Sequence, residues 1–132
     1  MTEEQIALAR RAVACKGFRW MPGMLTTCDL RVVDGGDEYV IGHRSGPTKD
    51  GGGWYDGEAA GLLPDLTDPA TLGCLLALVR EAWGNPLVGV RGWLDDEGGD
   101  DLYEYYEVMG LDDELTADTE AEALVAALED AP

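Results

Sequence analysis

The chain has 132 residues, 27 of them acidic and nine of them Lys or Arg, and its formal net charge is −18 at pH 7. A single domain of this length buries roughly two thirds of its unfolded surface, so it needs neither a disulfide nor a metal to fold. No run of 18 apolar residues is present and the first residues are acidic, so we expect neither a transmembrane span nor a secretory signal peptide. We therefore expect one cytoplasmic domain, residues 1–132.

The negative charge is concentrated in the last third of the chain. Residues 1–94 hold 12 acids and nine bases, whereas residues 95–132 hold 15 acids and no Lys, Arg or His. Such a surface repels nucleic acid and anionic membranes, but it permits a basic protein partner. The alternative explanation for this charge is solubility, or adaptation to a salty or crowded setting.

The first predicted element is a helix. Thr2 and Gln5 have the spacing of a capping box, and an apolar stripe continues to about Lys16, before Gly17. Basic residues cluster at the end of this helix, and we expect some of them to face the acidic third. They are Arg10, Arg11, Lys16 and Arg19.

Two β-hairpins are predicted, one on each side of a central helix. Residues 30–34 and 38–42 flank Gly35-Gly36, and residues 87–94 and 102–109 flank the acidic turn at 95–101. In 102–109 the even-numbered residues share one face of the strand and the odd-numbered residues share the other, and one side of this hairpin is expected to be wet.

The central helix is predicted between Asp68, a good N-cap followed by Pro69, and Gly84, a typical C-terminal stop. It is apolar almost all round, which is typical of a buried helix, and we expect it to be the core element. A second capping pattern at Thr119 begins a closing helix. The expected class is α+β: an antiparallel sheet of four to five strands in hairpins, a central buried helix and terminal helices, in the order αββαββα.

Two stretches without regular patterning remain. Residues 43–61 form a long Gly-rich connection that lacks the spacing of a phosphate-binding loop, and residues 110–118 form an acidic connector. Trp54 lies in the first stretch, where it either anchors a partner or folds back over a hydrophobic edge.

No catalytic, metal or cofactor motif is present. His43 is the only histidine, and the cysteines have no paired spacing, so neither a catalytic triad nor a zinc site is indicated. The acidic turn at 95–101 lacks the alternation of a calcium-binding loop. We expect a protein that is not an enzyme, with no cofactor, no metal and free thiols.

Three stretches resemble small uncharacterised proteins of bacteriophages and prophages. They are FRWMPGM at 18–24, LPDLTDPATLGCLLALVREAWG at 63–84 and TEAEALVAALEDA at 119–131, and together they look loosely like the phage α-β-α sandwich domain. The resemblance brings no catalytic residues. It implies a phage accessory protein that acts in the bacterial cytoplasm.

The leading functional prediction is an acidic interaction protein that binds a basic bacterial protein, such as a restriction or CRISPR component, by mimicking nucleic acid. Tyrosines interleaved with glutamates in 103–107 would add contact area, although ordinary strand composition also explains them. The predicted binding residues are Asp95, Asp96, Glu97, Asp100, Asp101, Glu104, Glu107, Asp112, Asp113 and Glu114, with Trp54 or Tyr105 as anchor.

Two other functions are open from the sequence. One is a small-ligand binder that sequesters a nucleotide, with a pocket built from the Gly-rich loop at 51–57 together with Arg44, Lys49 and Arg91. The other is a structural or assembly component of a phage particle, which predicts a defined homo-oligomer. The sequence does not specify the oligomeric state.

Overall fold

The computed structural model describes residues 2–27, 30–34, 39–43, 55–56, 63–95 and 103–132. These residues form an α+β fold, which confirms the predicted class. The helices are α1 (Glu3–Ala14), α2 (Pro69–Trp83) and α3 (Glu120–Glu129). The strands are β1 (Leu30–Asp34), β2 (Tyr39–His43), β3 (Tyr55–Asp56), β4 (Gly89–Asp95), β5 (Tyr103–Met109) and β6 (Leu115–Ala117).

The described strands form two antiparallel sheets of three strands, in the orders β1-β2-β3 and β4-β5-β6, instead of one sheet of four to five. Both predicted hairpins are present. The two additional strands are β3, in the predicted connection 43–61, and β6, in the predicted connector 110–118. They have two and three residues, which is too short for an alternating pattern to be visible in the sequence.

Helix ends follow the predicted capping chemistry. In α1, the Gln5 amide donates to Thr2 Oγ1 at 3.1 Å and the Thr2 amide donates to Gln5 Oε1 at 3.0 Å, which completes the capping box. In α2, Asp68 caps the first turn and Gly84 has a left-handed φ of 61°. The Glu122 amide donates to Thr119 Oγ1 at 3.1 Å at the start of α3.

Gly17 has a different role from the predicted one. Helix α1 ends earlier, at Ala14, with an extended Cys15 as its C-cap. A Cβ atom at Gly17 would lie 3.1 Å from Leu128 Cδ1 and 3.2 Å from Ala82 Cβ. Glycine therefore permits the chain after α1 to pass close to α2 and α3.

The core is organised around α3 and not, as predicted, around α2. Five residues of α3 are buried, and this helix packs against α1, α2 and all three strands of the second sheet. Helix α2 buries one stripe, contacts α3, and exposes or half-exposes the rest of its surface. Two of its buried residues are the small Ala123 and Ala127, which lie one turn apart on the same side of α3 and let a neighbouring element approach that side closely.

A buried polar network joins α2 to the segment before β1. Thr71 is fully buried, and its Oγ1 accepts a hydrogen bond from the Leu25 amide and donates one to Asp68 Oδ2, both at 2.9 Å. Arg31 donates to both oxygens of Asp68 at 3.3 and 3.4 Å and to the Gly23 carbonyl at 2.6 Å. The network therefore fixes the start of α2 against β1.

Candidate interaction face of the second sheet

The second sheet has one face covered by α3 and one face turned to solvent. Residues of β4 and β5 alternate between these faces, so that Val90 and Val108 belong to the core. The opposite side chains form what we call the outer face. It consists of Arg91, Trp93, Tyr103, Tyr105, Glu107, Thr116 and Asp118. The predicted division of this hairpin into a packed side and a wet side is confirmed.

Four flat groups form a row across the outer face, which we call the aromatic row. The Arg91 guanidinium carbon lies 3.8 Å from the centroid of the Trp93 ring. Trp93 pairs with Tyr105 across the strands, and their rings are stacked with centroids 6.5 Å apart and planes at 15°. Tyr105 stacks in turn on Tyr103, at 5.9 Å and 22°. Such contacts contribute about 0.5–1.5 kcal/mol per aromatic pair beyond the burial of area.

Carboxylates hold the polar ends of these rings. Trp93 Nε1 donates to Glu107 Oε2 at 2.9 Å, and the Tyr103 hydroxyl donates to Asp118 Oδ1. The hydrogen bond to Asp118, together with its negative charge, raises the pKa of the Tyr103 phenol. Because a carboxylate fixes each of these two rings, the aromatic row has a defined orientation before any partner arrives.

The predicted binding residues have three outcomes. Five of them lie outside the described residues: Asp96, Glu97, Asp100, Asp101 and Trp54. Asp95 is the last residue of β4, and only its backbone position is described. The structure brings Glu107 and Tyr105 together on the outer face. Glu104 lies at the exposed start of β5, where it accepts a hydrogen bond from the Tyr106 hydroxyl at 2.9 Å.

The third outcome concerns the predicted binding residues in the acidic turn between β5 and β6. Asp112, Asp113 and Glu114 are all exposed there, at the end of the sheet away from Tyr103. The acidic residues are thus distributed along the sheet and at its turn.

The basic cluster neutralises little of this charge. Arg11 pairs with Glu129 at 2.5 Å, which confirms that part of the cluster faces the acidic third, whereas Arg19 pairs with Glu81 of α2. Residues 103–132 contain ten carboxylate side chains. Of these ten, Glu129 is the one that forms an ion pair with another described residue. The negative charge of the described acidic third is therefore largely uncompensated.

The sequence-based prediction missed the roles of Arg91, Trp93 and Asp118 on this face. Arg91 and Trp93 are two residues apart and so lie on one side of β4, but the register between strands decides that Trp93 lies opposite Tyr105. Asp118 lies just after β6, a strand that was not predicted. The sequence did contain one signal for this site, which is an aromatic residue in each strand of the predicted hairpin.

A cleft separate from the outer face lies at the C-terminal ends of the three helices. This cleft has a volume of about 530 Å³ and includes Arg11, Cys15, Lys16 and Glu129 in its lining. Burial raises the pKa of the Cys15 thiol, and the same effect acts on Cys74, so neither thiol is activated as a nucleophile. Among the described residues, no group of three or more His, Cys, Asp or Glu side chains could hold a metal ion.

Comparison with known proteins adds no family or fold assignment. No protein-family model, curated protein or solved structure matches this chain. In the parts of the chain that are described, no helix combines the length and apolar content that a membrane crossing requires.

Proposed function

We propose that this protein is an interaction protein, and that the outer face of the second sheet docks against a basic surface of another protein. The observation that carries the proposal is a row of stacked aromatic groups on a solvent-facing sheet surface, where none of the described carboxylates forms an ion pair with a described cation. The two features supply the complementary parts of a protein-binding surface.

Charge and aromatic area have separate roles in this mechanism. Uncompensated carboxylates attract a cationic partner over a distance of about one Debye length and increase the association rate. Surface ion pairs add little affinity by themselves, so buried contact area must hold the complex together. Tyr103, Tyr105 and Trp93 provide that area, and their preformed stacking reduces the entropy lost on binding.

The identity of the partner is the finer part of the proposal. The resemblance to phage proteins supports a bacterial nucleic-acid-binding protein, including a restriction or CRISPR component, whose phosphate-binding surface the carboxylates would occupy. That origin and the anti-defence role rest on the resemblance alone.

The test is to capture partners from a bacterial lysate, purify the partner and measure its affinity as the salt concentration rises. The variant Asp112→Asn/Asp113→Asn removes two exposed charges from the turn between β5 and β6, and Glu3→Gln/Glu4→Gln removes two from the exposed first turn of α1. We expect the affinity to fall with salt, and the first variant to weaken binding more than the matched control. Affinity that is independent of salt, or equally affected by both variants, would contradict docking through this face.

Of the alternatives, the nucleotide-binding pocket has no observation in its favour. Residues 51–54 and 57 of its proposed loop lie outside the described residues, as do Arg44 and Lys49. Residues 55–56 of the loop form β3, and Arg91 stacks on Trp93. A role in a phage particle predicts a defined homo-oligomer, which a measurement of mass in solution would test.

A further inference from the structure

One end of the aromatic row forms a small pocket. Tyr103, Tyr105, Thr116, Ala117 and Asp118 line a volume of about 280 Å³. The Tyr103 side chain is 54% exposed, so the pocket is open to solvent. Its volume lies below the range of about 300–1,000 Å³ that is typical of sites for drug-sized ligands, and it suits one inserted side chain better than a whole cofactor.

The chemistry of the pocket selects a cation. The face of Tyr103 that is not stacked on Tyr105 attracts positive charge through its ring quadrupole, and the Asp118 carboxylate accepts a hydrogen bond from the hydroxyl of the same ring. Among described groups, the Tyr103 hydroxyl is the one hydrogen-bond donor to this carboxylate, which has further lone pairs to accept donors from a ligand. An anion would meet the carboxylate directly and would be repelled.

The same row already binds a guanidinium at its other end. Arg91 lies over Trp93 with its guanidinium carbon 3.8 Å from the ring centroid. Tyr103, at the opposite end, has a neighbouring ring on one side and no cation of the described chain stacked on it. A planar guanidinium can stack on such a ring while its N–H groups donate to an adjacent carboxylate, which a tetrahedral ammonium group does less well.

We propose that the pocket between Tyr103 and Asp118 receives an arginine side chain of the basic partner. This inference rests on the proposed function, since it names the group through which the partner is recognised. The guanidinium stacks on the exposed tyrosine ring and donates to the free lone pairs of Asp118. The pocket thereby gives the surface a preference for arginine over lysine that uniform negative charge would not produce.

The test uses NMR titration of the full-length, ¹⁵N-labelled protein with acetylated and amidated tetrapeptides of arginine, lysine or citrulline. Citrulline has nearly the shape of arginine without its charge. We expect the arginine peptide to bind with the largest shifts at the amides of Thr116, Ala117 and Asp118, and the lysine peptide to bind at least about threefold more weakly. The citrulline peptide is expected not to bind.

Two matched variants separate a specific pocket from general attraction. Asp118→Asn and Asp130→Asn each remove one exposed carboxylate charge, the first just before α3 and the second just after it, but only Asp118 lines the pocket. We expect Asp118→Asn to weaken arginine binding by roughly threefold to tenfold and Asp130→Asn by less than about twofold. Tyr103→Ser, which removes a half-exposed ring, is expected to match Asp118→Asn.

The possible results distinguish this inference from the proposed function. Equal binding of the arginine and lysine peptides, with equal losses in the two aspartate variants, would refute the pocket and leave docking on a basic surface intact. If none of the cationic peptides bound, both proposals would be refuted.

Discussion

Replacing Thr71 with Val tests the polar network at the start of α2. The substitution keeps the shape of the side chain and removes the hydroxyl, which is fully buried and forms two hydrogen bonds of 2.9 Å. The Leu25 amide, in a residue that is 2% exposed, would lose its partner, at a cost of about 1–3 kcal/mol. The lost bond to Asp68 adds about 1 kcal/mol, because Asp68 keeps its other donors.

We therefore expect Thr71→Val to lower the free energy of unfolding by about 2–4 kcal/mol, a large share of the 5–15 kcal/mol typical of a domain. Thr71→Ser is the matched control, since it keeps the hydroxyl and removes one methyl group, for about 1 kcal/mol. Urea denaturation followed by far-ultraviolet circular dichroism measures both, and the slope of the free energy against urea should stay constant. If the valine variant were as stable as the serine variant, the hydroxyl would not satisfy the Leu25 amide as the structure indicates.

Three further predictions concern acid stability, the core and the outer face. Burial by itself raises the pKa of Asp68, but hydrogen bonds from its arginine and threonine neighbours outweigh that effect and lower the pKa below its usual value. The stability that this charge adds should be present above about pH 5 and lost as the pH falls through the folded-state pKa, so Asp68→Asn should approach the wild type in acid urea titrations. Leu124→Ala, in the centre of α3, should cost about 2–5 kcal/mol. Asp118→Asn should lower the raised pKa of the Tyr103 phenol in a titration followed by NMR.

Each of these predictions has a control. Asn is nearly as good an N-cap as Asp, so Asp68→Asn isolates the charge, and a constant difference from the wild type across the acid range would contradict the shifted pKa. Leu94→Ala changes a leucine that is 69% exposed and should alter stability by less than about 0.5 kcal/mol, so a similar loss in both leucine variants would contradict the packing of α3. An unchanged phenol pKa in Asp118→Asn would show that the two side chains do not interact in solution.

Local signals predicted the helices and hairpins well because their causes lie within a few residues. Capping by Thr2, Asp68 and Thr119 depends on hydrogen bonds between neighbours in the chain. Alternation in residues 102–109 likewise predicted a hairpin with one wet side, but it did not predict which side that would be. The number of sheets was not predictable in this way, because strand pairing depends on contacts between distant segments.

The central helix shows the limit of reading burial from composition. Helix α2 is the most apolar segment of the chain, yet it is buried along one stripe, whereas the shorter α3 lies between the other helices and the second sheet. Composition measures how favourable the burial of a helix would be. The position of the helix in the fold decides whether other elements surround it. Alanines permit a close approach, and two of the five buried residues of α3 are alanines.

Some features of the candidate site likewise follow from the sequence, and others follow only from the tertiary structure. The sequence alone determined that the last third of the chain is strongly acidic, that its strands carry tyrosines, and where each helix begins, because charge and capping are properties of the residues themselves. Only the tertiary structure decided that Trp93 stacks on Tyr105, that Asp118 holds Tyr103, and that one carboxylate of the described acidic third has an ion-pair partner. Those contacts join separate strands, and their register results from the packing of the whole sheet on α3.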